Sequence, residues 1–184
     1  MSTRLHIAAR KWTVCIPILL LAAAPSRAET EAQTVARARQ NYASIEGNLK
    51  SFQRVTSDLS GYSTEGGTLV AYFQGGAVRK LVAQYYGESG RATEEHYFSG
   101  GRLFFVLRTE LRYDKPQTFD ADQKQRAKVA TREQNRSYFA QGKLVRWVDE
   151  TGRNRTAGQE WNTHEREALA QVRRLLIKAN ALLD

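Results

Sequence analysis

The chain is poor in cysteine, proline and histidine, and these shortages exclude several classes of protein. Its 184 residues include one cysteine, three prolines and three histidines. One cysteine cannot form an internal disulfide framework or a cysteine-rich zinc site. Few prolines, together with 26% charged residues, do not match a collagen-like or low-complexity chain. The composition therefore predicts a globular protein that packing stabilises.

The first 28 residues have the pattern of a secretory signal peptide. A basic start precedes an apolar run over residues 12–24, and small residues at Ser26 and Ala28 suit a cleavage site. The basic residues are Arg4, Arg10 and Lys11. The apolar run is shorter than the ~20 residues of a membrane-spanning helix, although an N-terminal membrane anchor is the alternative. We expect cleavage before Glu29, a periplasmic or secreted protein, and no integral membrane protein.

The expected mature chain, residues 29–184, is only moderately basic. Cleavage removes four basic residues and no acid, so the formal net charge falls from +9 to +5, and it also removes the only cysteine. Such a charge favours weak attraction to an anionic envelope polymer or a membrane surface, and a periplasmic protein is a further candidate partner. We expect no nucleic-acid partner.

Two amphipathic helices are predicted at the ends of the mature chain. Thr30 and Gln33 form a capping box for the first helix, which we expect to end near Gly47. Asn162 and Glu165 resemble an N-cap pair for the second. The apolar stripe of the first is Val35, Ala38, Tyr42, Ile45 and Leu49. The stripe of the second is Ala168, Leu169, Val172, Leu175, Leu176, Ala179, Leu182 and Leu183.

Between the helices, residues 52–149 contain three copies of the pattern Y-F-x-x-G-x-[VL]. The copies begin at Tyr72, Tyr97 and Tyr138. The shared glycine suits a tight hairpin turn with positive φ, and the aromatic pair before it favours a strand whose two rings face opposite sides. Three hairpins predict about six antiparallel strands. The unequal spacings, 25 and 41 residues, favour a meander over a solenoid or propeller.

These hairpins between two helices resemble a group of uncharacterised bacterial secreted or lipid-anchored proteins. More distantly they resemble MORN-type β-hairpin repeats, whose units read Y-[YF]-x-x-G-x-L. The resemblance covers about residues 68–153 and implies a β-meander, with no catalytic residues to transfer. The chain departs from the pattern in its irregular spacing. In addition, the motif E-[ST]-G-R follows the first and third copies, at residues 88–91 and 150–153, but not the second.

The elements together predict an α+β fold, with one antiparallel sheet of about six strands packed with both helices. A single sheet cannot bury an apolar face alone, so we expect the C-terminal helix to cross one face with the N-terminal helix beside it. The covered face would carry Leu103, Phe105 and Leu107, and the opposite face Arg108 and Arg112.

Motifs for catalysis or metal binding are not found. An H-E-x-x-H zinc site starting at His164 would need histidine where the chain has Ala168. Glu94 and His96 share a predicted strand face, but a zinc site needs more than two ligands, so we expect an exposed polar strand there. The charged stretch 120–130 lacks the ligands of a calcium loop and is either a short helix or a loop. We expect neither metal nor cofactor.

Candidate ligand-binding residues combine aromatic rings with arginines. They are Tyr85, Tyr86, Arg108, Arg112, Arg146 and Trp147. Rings beside guanidinium groups suit sugars or anionic polymers, through stacking and charge-assisted hydrogen bonds. The alternative is that the rings belong to the core and the arginines to a solvated surface.

Two functions remain open. The favoured hypothesis is a non-catalytic binding module of the bacterial cell envelope. The alternative is a carboxylate-based hydrolase of an envelope polymer, since glycoside hydrolysis needs only two suitably separated acids. An enzyme should have a cleft with two carboxyl groups of raised pKa, whereas a binding module should have a shallow basic and aromatic patch.

Overall fold

The described residues form one seven-stranded antiparallel sheet and two α-helices, which confirms the predicted α+β class. The computed structural model describes residues 29–117 and 127–183. The predicted signal peptide and most of the stretch 120–130 lie outside the described residues. The elements are α1 (Glu31–Asn48), a short 3-10 helix (Leu49–Ser51), β1 (Gln53–Asp58), β2 (Gly67–Gln74), β3 (Ala77–Gly87), β4 (Gly90–Ser99), β5 (Arg102–Tyr113), β6 (Val129–Ala140), β7 (Lys143–Val148) and α2 (Gln159–Asn180).

The strands lie side by side in chain order, from β1 to β7, as a meander. Six of them form the three predicted hairpins. The seventh, β1, pairs antiparallel with β2 and was not predicted, because its sequence is mostly polar and only Val55 packs against the core. Since the hairpin turns of a meander alternate between its two ends, the three Y-F-x-x-G turns lie together at one end of the sheet.

Each Y-F-x-x-G segment uses the same turn and the same bulge. The turns 75–76, 100–101 and 141–142 have positive φ at both residues, as a two-residue type I′ turn requires. Gln141 is the one non-glycine residue with positive φ in the described ranges. In all three hairpins the pairing register shifts between the tyrosine and the phenylalanine. The residues that bulge in the facing strands are Arg79, Phe104 and Val145.

The E-[ST]-G-R likeness does not extend to conformation. In the first copy Glu88 and Ser89 connect β3 to β4, and Gly90 lies in β4, where a Cβ would come within 2.2 Å of the Leu111 carbonyl oxygen. In the later copy Gly152 has a φ of +81°, and the Asp149 carboxylate accepts hydrogen bonds from the backbone of the surrounding turn.

The two helices cover opposite faces of the sheet, so the expectation that they lie side by side is wrong. The tyrosine of each motif belongs to the core under α1 and the phenylalanine to the core under α2. Both faces are therefore apolar, and each needs its own cover. The α1 core contains Val35, Ala38, Ile45, Phe52, Tyr97, Phe104, Phe105, Tyr138 and Val148. The α2 core includes Leu69, Phe73, Leu81, Phe98, Leu103, Val106, Phe139, Leu144, Val172, Leu175 and Ala179.

The bulge at Phe104 also corrects the predicted faces of β5. Leu103 packs in the α2 core, but Phe105 and Leu107 pack in the α1 core. One extra residue in a strand reverses the facing of every residue beyond it, and the strict alternation assumed from sequence ignores this. Arg108 consequently lies on the face that α2 covers, not on the opposite one.

Local signals predicted α1 better than α2. Thr30 and Gln33 form both bonds of the capping box, with the Gln33 amide 3.3 Å from the Thr30 hydroxyl oxygen. The start predicted for α2 at Asn162 is wrong, because α2 begins at Gln159 without a side-chain cap. In the described part of the chain, neither helix has the length and apolarity required to cross a membrane.

Candidate functional site

A groove of about 900 Å³ lies between α2 and the sheet, and we call it the α2 groove. The sheet half near the Y-F-x-x-G turns is apolar and packed beneath the helix, whereas the other half is polar and forms the groove floor. On α2 the wall residues recur at helical spacing, so they form one stripe. They are His164, Glu167, Ala168, Gln171 and Arg174.

Strand register assembles the floor in two cross-strand rows. Residues directly opposite in an antiparallel sheet have Cβ atoms about 4.5–5.5 Å apart, so each row is contiguous. The first row joins Leu81, His96, Val106, Ser137 and Trp147. The second joins Ala83, Glu94, Arg108 and Asn135.

Glu94 is the central charge of the floor. Its carboxylate accepts a hydrogen bond from Arg108, whose Nε also donates to Glu110 over 2.8 Å. Burial by itself would raise the pKa of Glu94, but His96 and Arg108 outweigh it and hold this pKa below the usual value. Glu94 is therefore a carboxylate at neutral pH, and a single guanidinium is shared between two carboxylates.

A chain of hydrogen bonds ties α2 to this ion pair. Arg174 donates to the Gln171 side chain, which donates to the Tyr85 hydroxyl. The hydroxyl in turn donates to Glu94, with an oxygen-to-oxygen distance of 3.4 Å. Burial, reinforced by the Glu94 charge, raises the pKa of Tyr85, so the phenol stays neutral and remains a donor.

Ser137, His164 and Trp147 form a second connection between α2 and the floor. The Ser137 hydroxyl lies 2.7 Å from His164 Nε2, and the imidazole stacks on Trp147 with ring centroids 4.1 Å apart. Burial lowers the pKa of His164, so its neutral form predominates at neutral pH. Although the pair has the distance of a serine–histidine dyad, Ser137 is only 2% exposed, which does not suit a nucleophile.

His96 is a buried side chain whose two ring nitrogens lack hydrogen-bond partners among the described residues. It is 1% exposed, so the predicted exposed polar strand is wrong here. Neither ring nitrogen forms a hydrogen bond of good geometry with any described residue, although Nε2 lies 3.4 Å from a Glu94 carboxylate oxygen. An unsatisfied buried polar group costs about 1–3 kcal/mol, so this imidazole lowers the stability of the fold.

The structure places three of the predicted site residues at the α2 groove. Tyr85 and Arg108 line it, and Trp147 stacks on its wall residue His164. The others lie elsewhere. Arg112 is exposed beyond the groove on the same strand face as Arg108.

The remaining two predicted residues point to the α1 side. The Tyr86 hydroxyl donates to Gln84 over 3.0 Å, and Tyr86 alternates in facing with Tyr85. Arg146 Nε donates to Asn154 over 3.1 Å, and its guanidinium lies 3.7 Å from Glu31 of α1. The predicted basic and aromatic patch is therefore not one surface.

Sequence reasoning missed most of the polar residues of the groove. They are Glu94, His96, Asn135, Ser137, His164 and Gln171. The sequence contains a signal for these residues. Along β4 and β6 they take every second position, on the same strand face as the apolar residues that pack toward α2. On α2, likewise, a polar stripe through His164 and Gln171 borders the apolar stripe.

A contrasting polar cluster lies on the other face, beneath α1. Lys80 is 4% exposed, and its Nζ lies 2.7 Å from carboxylate oxygens of both Glu46 and Glu95. The Tyr97 hydroxyl donates to Glu46 over 2.9 Å. Burial would lower the pKa of Lys80, but the two carboxylates raise it above its usual value. This cluster anchors the last turns of α1 to β3 and β4.

Neither a metal centre nor a known relative identifies the site. Within residues 29–117 and 127–183, no three histidine, cysteine, aspartate or glutamate side chains are grouped to hold a metal ion. Comparisons with protein-family models, curated proteins and solved structures found no match to this chain. The resemblance to hairpin-repeat proteins therefore stays a prediction.

Proposed function

We propose that the protein is an exported binding module of the bacterial cell envelope, and that the α2 groove is its ligand site. The observation that carries this proposal is a concave site into which charged, amide and imidazole groups converge. Sites for small molecules are usually clefts of about 300–1,000 Å³ with a few placed polar groups. The groove falls in this range at about 900 Å³.

The ionisation of Glu94 does not suit the catalytic acid of a hydrolase, and it does suit ligand binding. A carboxylate-based glycosidase needs one carboxylic acid that stays protonated until it donates to the leaving group. Glu94 has a lowered pKa instead, because His96 and Arg108 stabilise its charge against burial. A permanent carboxylate suits a hydrogen-bond acceptor for ligand donors.

The test of the groove compares two tryptophan substitutions on strands. Ala92 of β4 lines the groove, and Ala130 of β6 is exposed outside it. Ala92→Trp should fill the groove and reduce retention of fractionated envelope material by at least about tenfold, which corresponds to ~1.4 kcal/mol. Ala130→Trp should bind like the wild type. Thermal unfolding of both variants checks that they fold, and equal retention by the two would contradict the groove as the site.

Export is the second part of the proposal, and residues 1–28 support it by their basic, apolar and small-residue segments. N-terminal sequencing of protein recovered outside the cytoplasm should begin at Glu29. Recovery of chains that still begin at Met1 from that compartment would contradict the expected cleavage.

A further inference from the structure

We infer that the ligand of the α2 groove is a neutral oligosaccharide. This inference rests on the proposed binding function and names the ligand class. Aromatic rings and arginines suit two classes of ligand, sugars and anionic polymers, and the inference selects the sugars.

The charges of the groove do not favour an anionic polymer. Among its lining residues, Glu94 and Glu167 balance Arg108 and Arg174. Arg108 is also paired with Glu110, just outside the lining. Its guanidinium is therefore shared between two carboxylates, whose negative charges would repel an incoming anion. The overall positive charge of the chain is not concentrated here, so the groove offers no electrostatic advantage to a polyanion.

The hydrogen-bonding groups suit hydroxyls instead. A sugar hydroxyl donates one hydrogen bond and accepts others, as a serine hydroxyl does. At the floor, the Glu94 carboxylate is an acceptor beside the Arg108 guanidinium, which is a donor. One hydroxyl is able to donate to the first while accepting from the second. Asn135 and Gln171 also line the groove. Asn135 accepts from Trp147 and Gln171 bonds to Tyr85 and Arg174, but each amide keeps an N–H group and a carbonyl lone pair for a ligand.

The borders of the groove provide aromatic surface. Tyr62, in the β1–β2 connection, lines the groove and is 39% exposed, and the ring of Tyr85 lies on the floor. A pyranose ring has polar edges and a flatter C–H face, and tyrosine combines an apolar ring with a polar tip in the same way. Stacked contact on the ring and hydrogen bonds at the edge therefore reinforce one another.

An apolar ligand does not suit the groove floor. It would cover the Glu94–Arg108 pair without offering hydrogen-bond partners, and a buried polar group without a partner is costly. A ligand rich in hydroxyls offers both donors and acceptors to this pair. His96 lies beneath the pair with 1% exposure, so it supports the floor from within and does not contact the ligand.

Isothermal titration calorimetry with defined probes tests the inference on the intact exported protein. The neutral probes are the tetramers of N-acetylglucosamine, glucose in maltose linkage and glucose in cellulose linkage, and the anionic probe is heparin. At least one neutral tetramer should bind, with an affinity that changes by less than about twofold between about 50 and about 500 mM NaCl, because screening affects net charge most.

Glu94→Gln is the most informative variant, because glutamine keeps the shape of the side chain but removes its charge. It should weaken tetramer binding by at least about tenfold, since hydrogen bonds to charged groups contribute about 1.5–3 kcal/mol. It should strengthen heparin binding, because Arg108 loses a carboxylate partner. Arg112→Ala, outside the groove, should leave tetramer binding unchanged. Thermal unfolding of each variant verifies the fold.

The two levels of the proposal fail differently. If heparin binds the wild type, Ala92→Trp abolishes that binding and every tetramer fails to bind, the groove remains a binding site but the saccharide inference is wrong. If a tetramer binds equally well to Ala92→Trp, the groove itself is wrong. If none of the probes binds, the saccharide inference is overturned and the envelope-extract comparison decides the proposed function.

Discussion

The two faces of the sheet solve the problem of buried polar groups in opposite ways. Beneath α1, Lys80, Glu46, Glu95 and Tyr97 satisfy one another within a closed cluster. Beneath α2, the polar floor opens into a groove, and His96 is left without a hydrogen bond among the described residues. A fully satisfied network anchors a helix, whereas an incompletely satisfied one is costly unless it has another use.

The apolar contacts differ between the faces as well. Under α1, Tyr42, Tyr97, Phe105 and Tyr138 form a chain of rings with successive centroids 5.0–5.7 Å apart. Under α2, the contact is mainly aliphatic and is concentrated at the C-terminal half of the helix. The half of α2 nearer its N-terminus is therefore free of dense packing and able to form the wall of a groove. The following variants test this division, beginning with the largest expected effect.

Truncation of the α2 anchor should have the largest effect. Leu175 is 0% exposed, whereas Leu176 is only partly buried. Leu175→Ala should lower the free energy of unfolding by about 2–5 kcal/mol, the range for a core leucine. Leu176→Ala should have a clearly smaller effect. Urea denaturation measures both, and equal losses would mean that α2 does not dock as the structure has it.

Removal of the lysine beneath α1 should have the second largest effect on stability. Lys80→Met leaves the carboxylates of Glu46 and Glu95 without their cation, and breaking a fully buried pair costs about 3–5 kcal/mol. These carboxylates are partly exposed, so we expect a smaller loss of about 2–3 kcal/mol in urea. The double variant Lys80→Met with Glu46→Gln should recover part of this loss. An unchanged stability of the single variant would contradict a closed, energetically important cluster.

The faces should also respond to pH in opposite directions. His164 has a folded-state pKa below its ordinary 6.5, so the unfolded chain binds more protons and stability falls as the pH drops from about 6.5 through the folded value. Lys80 has a folded-state pKa above its ordinary 10.5, so its contribution is complete below that pH and is lost as the pH rises further.

Stability curves over pH measure this contrast. His164→Gln should reduce the loss on the acid side between about pH 7 and about pH 5, and leave the alkaline side unchanged. Lys80→Met should reduce only the alkaline loss. Glu94, with its lowered pKa, adds to acid sensitivity at lower pH, where its protonation begins. If His164→Gln retained the full loss near pH 6, burial of the neutral imidazole would not be its cause.

The smallest effect is expected outside both clusters. Arg112 is exposed at the end of β5, beyond the groove. Arg112→Ala should change the unfolding free energy by no more than about 0.5 kcal/mol, as most surface substitutions do. A loss comparable with that of Lys80→Met would indicate an energetic role that the exposed position does not provide.

Local sequence signals were enough to locate the two helices and the three hairpins. The Thr30 capping box and the five-residue apolar stripe located α1, and the Y-F-x-x-G pattern located each type I′ turn. Both kinds of signal depend on residues close together in the chain. β1 was missed because its polar sequence is held as a strand by pairing with β2, which is a tertiary effect.

The site could be predicted only in part, for a related reason. Tyr85 and Arg108 were recognised as a ring and a guanidinium, but Arg146 and Tyr86 were grouped with them although they lie on the sheet face opposite α2. Residues along a strand alternate in facing until a bulge reverses the alternation, and the bulge at Phe104 did so near the start of β5.

By itself, the sequence determined the α+β class, the positions of the three hairpin turns and which residues are apolar, because these follow from periodicity and backbone preference within a few neighbours. The tertiary structure alone decided that α1 and α2 cover opposite faces, and that β3 to β6 align Tyr85, Glu94, Arg108 and Ser137 beneath α2. Such alignment depends on the register between strands and on where α2 docks. Register and docking are set by contacts between residues far apart in the chain, as the two cores pack, and not by any short segment.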